Sequence, residues 1–66
     1  MRNNISSAYA ELLNIIEAAK WHKSHCNESC SVALYVLGMT AKRLVNHCWL
    51  SERAEARRMI SETDWT

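Results

Sequence analysis

The side chains best suited to chemistry are three histidines and three cysteines, four of them in the adjacent pairs His25-Cys26 and His47-Cys48. His22 and Cys30 flank the first pair. Imidazole and thiolate are preferred zinc ligands, so metal binding is the first chemistry to weigh. The compact ligand set is His22, His25, Cys26 and Cys30, around a single chain connection. Its His-x3-Cys-x3-Cys spacing matches no common zinc-finger pattern. Cys48 is too distant to join it. If residues 30–48 form one helix, the rise of 1.5 Å per residue puts about 27 Å between Cys30 and Cys48. That also rules out a disulfide between them, since bridged Cα atoms lie within about 7 Å of each other. The alternative reading makes Cys30 and Cys48 small buried hydrophobes, with His22 and His25 against the last carbonyls of a helix. We expect free thiols and no metal or other cofactor.

A catalytic reading finds less support. A cysteine nucleophile needs a base and a partly exposed, electropositive setting. Adjacency in sequence does not create that geometry. The chain has neither a phosphate-binding glycine loop nor a paired-carboxylate motif. It is also short for a concave pocket of several hundred Å3. An enzyme is not expected.

The elements that must position these groups are helical. The chain has no proline and one glycine, Gly38, so most strand turns lack their usual residues. Ile5, Ala8, Tyr9, Leu12, Ile15, Ile16 and Ala19 recur at steps of three and four, one apolar stripe on a helix over about 4–23. Asn3, Asn4 or Ser6 is placed to cap it. His25 to Ser29 reads as a connection. Leu34, Leu37, Ala41, Leu44, Val45 and Cys48 then hold one face of a helix over about 30–48, with Val32, Val36 and Met39 widening that face. Ser51, with Glu52 and Glu55 after it, opens a third helix over about 51–64. Its apolar positions are few: Ala54, Ala56, Met59 and Ile60.

Gly38 divides two functional readings. Leu37-Gly38-Met39-Thr40 followed by Leu44 resembles the turn of a helix-turn-helix. That resemblance implies a DNA-binding regulator with Lys42, Arg43, Asn46 and His47 facing the groove. The pattern departs at Leu34, where alanine is usual, and at His47, where a buried aliphatic is expected. The other reading keeps the helix continuous through Gly38, at a cost of about 1 kcal/mol against alanine. The unbroken apolar stripe favours continuity.

Charge points the same way. The net charge is +1, a weak footprint for a nucleic acid or an anionic membrane. Residues 1–24 and 25–50 each carry +1 and residues 51–66 carry −1, so there is no polybasic arm. The N-terminal residues are too polar for a signal peptide, and no apolar run reaches the roughly 18 residues of a membrane span. An odd cysteine count suits a reducing compartment. We therefore expect a cytoplasmic chain.

Trp21, Trp49 and Trp65 fall near predicted helix ends, where indoles either close a small bundle or form contact patches. Tyr35 lies off the central stripe. Tyr35, Trp49, Trp65, Arg57 and Arg58 are the candidate partner-contact residues, because Trp, Tyr and Arg are enriched in interface hot spots. Such a small domain buries only about 60% of its unfolded surface and gains from a partner or a second copy. The sequence thus predicts one all-α domain over residues 1–66, a three-helix unit built as an antiparallel hairpin plus a shorter helix. The expected function is regulatory or inhibitory binding to a protein, with homodimerisation as a further possibility. That size and composition suit a phage or mobile-element accessory protein.

Overall fold

A computed structural model describes residues 4–25 and 30–66, with Cys30 described by its backbone alone. Three helices follow in order: α1 (Ser7–His25), α2 (Cys30–Val45) and α3 (Leu50–Glu62). The all-α, three-helix architecture is as expected, and α1 and α2 form the most extensive pairing.

The core follows the helical periodicity. Ala8, Leu12, Ile16 and Ala19 are the buried positions of α1. Leu34, Ala41 and Val45 are buried on α2, Cys48 just beyond it, and Ala56 and Ile60 on α3. Most of these form one cluster, while Ala19 and Leu34 form a second. Trp65 packs against both clusters and joins them. Its indole Nε1–H donates to the Ile60 carbonyl at 2.9 Å, which folds the tail back over the bundle.

Gly38 lies inside α2, and its φ is not positive. The helix is therefore continuous there, and the turn needed for the helix-turn-helix reading is not formed. A Cβ at Gly38 would stand 3.4 Å from the Trp65 ring. The glycine thus provides a flat seat for the indole.

The helix ends differ from expectation for identifiable reasons. α1 begins at Ser7 because Ser6 caps it, its hydroxyl accepting from the Tyr9 N–H at 3.1 Å. α2 ends at Val45 rather than near Cys48. The next three amides bond to carbonyls three residues back, which tightens the chain into a turn. Arg53 stabilises that turn by donating to the carbonyls of Cys48 and Asn46 at 3.2 and 3.1 Å. α3 opens after Trp49, so Ser51 is an exposed helical residue and not the cap. Trp49 is the N-cap, and the Glu52 carboxylate at N3 reaches back to accept from its N–H at 2.8 Å.

Val32, Val36 and Met39 do not widen the buried face of α2, because they are exposed. α1 and α3 together cover only one side of this helix.

Candidate functional site

Two features of the surface derive directly from this packing. The first is the uncovered side of α2. Val32, Tyr35, Val36 and Met39 are 70, 65, 53 and 43% exposed. Their spacing of i, i+3, i+4 and i+7 places them on one face. From Ser31 to Ala41 the helix carries no charged residue, so the stripe is apolar and neutral along this length.

The second is an open groove between the C-terminal half of α2 and α3, with a volume of about 500 Å3. Val45, Ile60 and Trp65 contribute apolar surface, and Lys42, Asn46 and Arg57 contribute polar groups. A smaller hollow of about 170 Å3, lined by Tyr35, Gly38 and Met39 among others, shares Lys42 and Trp65 with it. Trp65 lying across Gly38 therefore connects the α2 stripe to the groove.

The candidate residues are sorted by this geometry. Lys42, Asn46, Arg57 and Trp65 line the same groove, although the sequence suggested them for two different partners. Tyr35 belongs to the α2 stripe. Trp49 is exposed at the turn into α3, beside exposed Leu50. Arg58 is engaged within α3, where it forms ion pairs with Glu55 and Glu62. These pairs raise the pKa of its guanidinium further and lower that of the Glu55 carboxyl. Trp65 is half-buried in the fold, contributing an edge of the groove.

Arg43 is exposed on α2, while Asn46 and His47 are exposed in the turn after it. α2 ends before that turn, so the four DNA-facing candidates do not lie on one helix. Within α3, Arg53, Arg57 and Arg58 are matched by Glu52, Glu55 and Glu62. This balance gives little net attraction for a phosphate backbone.

Of the proposed metal ligands, Cys26 and the Cys30 side chain lie outside the described residues. His25 stacks on Trp21 with ring centroids 4.2 Å apart and nearly parallel planes. Its Nδ1 lies 2.9 Å from the Trp21 carbonyl and 3.1 Å from the Ser24 hydroxyl. The first is the C-terminal carbonyl contact expected of a histidine at a helix end. His22 meets Trp21 edge-on at 5.3 Å. No group of three or more metal-ligating side chains converges among the described residues.

Cys48 is a buried free thiol. Burial pushes its pKa up, the Glu52 carboxylate adds to that shift, and contacts with Ser6 and Arg53 oppose it. A nucleophilic cysteine requires the opposite shift.

The residue that sequence reasoning missed is Glu52. Its carboxylate accepts from the Ser6 N–H at 2.8 Å, the Ser6 hydroxyl at 2.6 Å and the Trp49 N–H at 2.8 Å. Burial acts to raise its pKa, but the three hydrogen bonds outweigh this and leave it lowered. One carboxylate thereby ties together the N-termini of α1 and α3, where both helix dipoles favour negative charge. The sequence marks it only as an acidic residue at the start of a helix; its bond to Ser6 had no local signal.

No family model, curated protein or solved structure matches the chain.

Proposed function

We propose that this protein is a small, non-catalytic regulatory or inhibitory domain that binds another protein through the exposed face of α2. The observation that carries this reading is the apolar stripe Val32, Tyr35, Val36 and Met39, exposed on a helix segment without charge. Water contact with such a stripe is unfavourable by about 25 cal/mol per Å2 of apolar surface. A partner that covers it recovers that free energy, as in helix-in-groove recognition. An accessory role in a phage or mobile element accords with a domain of this size.

The non-catalytic reading accords with a Cys48 that is buried and raised in pKa, and with a main groove that, among the described residues, is lined by no histidine, cysteine or carboxylate. A DNA-binding role would need a different surface from the one proposed, because α2 does not turn at Gly38.

The test is affinity capture from the native host's lysate after nuclease treatment, using the wild type and a Tyr35→Asp/Val36→Asp variant. Both positions are exposed, so circular dichroism should report the same helical fold for each. The reading expects a protein retained by the wild type and lost with the variant. It fails if both forms retain the same proteins, or if nuclease alone abolishes capture. Sedimentation of the purified chain identifies a second copy as the occupant if the wild type dimerises and the variant does not.

A further inference from the structure

The groove between α2 and α3 has a distinct chemistry that specifies its ligand more closely. Val45, Ile60 and Trp65 offer an apolar surface, and Lys42 and Arg57 approach it from α2 and α3. Four other cations of the bundle are already engaged, and Arg43 lies outside the groove. Lys20 pairs with Glu17, Lys23 with Asp64, and Arg58 with Glu55 and Glu62. Arg53 donates to the carbonyls of the α2–α3 turn. Among the described residues, Lys42 and Arg57 have no ion-pair or hydrogen-bond partner and no carboxylate lines the groove.

We propose that this groove binds an acidic amphipathic segment of a partner protein, with a large apolar side chain against Val45, Ile60 and Trp65 and flanking Asp or Glu carboxylates beside Lys42 and Arg57. The proposal rests on the reading of the chain as a protein-binding domain, and it adds a second contact surface to the α2 stripe. Charge complementarity identifies the occupant. Two unpaired cations on either side of an apolar surface favour a ligand with the reverse arrangement, and they disfavour a basic one. The open shape suits a peptide better than a small carboxylate, which is normally held in a more enclosed pocket. An apolar surface also contributes nothing to tracking a phosphate backbone, whereas it can accept a leucine or aromatic anchor. The shared residues Lys42 and Trp65 allow one partner chain to continue from the groove into the hollow beside Tyr35 and Met39.

The experiment is selection of a random peptide library on the full chain, followed by titration of the enriched peptides into isotopically labelled protein. The expected peptides carry Asp or Glu around a large apolar residue, and they shift the resonances of Lys42, Val45, Arg57 and the Trp65 indole. Charge reversal in a Lys42→Glu/Arg57→Glu variant should weaken them by about tenfold or more. Both positions are exposed, and circular dichroism checks that the variant is folded. Added salt should weaken wild-type binding as well. The proposal is overturned if no peptide is enriched, if enriched peptides lack acidic residues, or if their shifts map elsewhere. Equal binding to the charge-reversed variant also overturns it, and so does selective retention of the groove on a duplex DNA probe. Loss of groove binding with capture through Tyr35 and Val36 intact would refute this proposal alone. Groove binding that persists when the α2 face captures nothing would refute the α2 reading instead.

Discussion

Replacing Gly38 with alanine tests how α2 and the C-terminal tail fit together. Gly38 lies within a regular helix and does not use a positive φ, so alanine meets no backbone strain. Glycine in such a position is less favourable than alanine by about 0.8–1.0 kcal/mol. The new methyl would stand 3.4 Å from Trp65 Cδ2 and Cε3 and 3.5 Å from Cγ, which is ordinary contact. Each such carbon pair contributes about 0.1–0.2 kcal/mol at best, and the contacts are on the close side. The propensity gain therefore dominates, and the expected result is stabilisation by about 1 kcal/mol. In a domain of this size that raises Tm by about 4–8 °C.

Thermal and urea unfolding followed by circular dichroism measure the change. A lower Tm for Gly38→Ala would refute the continuous helix or the seating of Trp65 on it. A second substitution sharpens the test. Gly38→Leu is too large for the gap and must displace the indole, breaking its bond to the Ile60 carbonyl and uncovering Ala19 and Leu34. It should destabilise the chain and red-shift Trp65 fluorescence, read with Trp21 and Trp49 replaced by phenylalanine. In a Trp65→Ala background the penalty of Gly38→Leu should largely disappear, a coupling that a double-mutant cycle measures directly. Additive effects would mean that the two residues do not touch.

Three further outcomes are expected. Glu52→Gln should lower Tm at neutral pH, because an amide presents hydrogens to donors at Ser6 and Trp49 that now meet a carboxylate. Since the folded-state pKa of Glu52 is lowered, its contribution is present above the unfolded carboxyl pKa of about 4.3 and lost as pH falls through the folded value. Melting curves between pH 7 and pH 2 should therefore show a smaller acid-induced drop for the variant than for the wild type, and equal drops would count against the bridge. Leu12, fully buried at 0% exposure, should cost about 2–5 kcal/mol when cut to alanine. That is comparable to the whole stability of a chain this short, about 3–10 kcal/mol, so urea titration should find the variant largely unfolded at low denaturant. The Cys48 thiol, buried and raised in pKa, should react with Ellman's reagent only after unfolding. In a variant with Cys26 and Cys30 replaced by serine, a fast reaction under native conditions would show that the site opens.

Much of the fold was legible from local pattern. Leu12 and Ile16 on α1 and Leu34, Ala41 and Val45 on α2 are buried as their spacing predicts, because side-chain direction in a helix repeats every 3.6 residues regardless of what packs against it. The same stripe favoured continuity through Gly38, and the helical backbone there shows it. The end of α2 was less legible. Cys48 keeps the phase of the helix and is buried, yet the backbone has already left the helix, with Arg53 holding the carbonyls of the turn. A turn can place a side chain where a helix would have placed it, so phase alone did not reveal the stop.

The candidate site was legible only in pieces. By sequence, Arg57 and Trp65 are interface residue types, while Lys42 and Asn46 fit a DNA-facing helix. Nothing in the sequence indicated that the four share a groove. Val32, Val36 and Met39 read as widening the central stripe because apolar residues beside a stripe usually do. Whether they are covered depends on how many helices surround α2, and here one side remains open.

The sequence by itself determined three helices and their apolar faces, consequences of local geometry and backbone preference, and it favoured continuity at Gly38, which the structure settled. Tertiary structure decided which chain ends meet. It placed Glu52 against Ser6, 46 residues away in sequence, and laid Trp65 over Gly38. Such contacts depend on the relative placement of whole helices, which no local periodicity encodes. The same placement leaves one face of α2 uncovered and sets Lys42 and Arg57 beside a common groove.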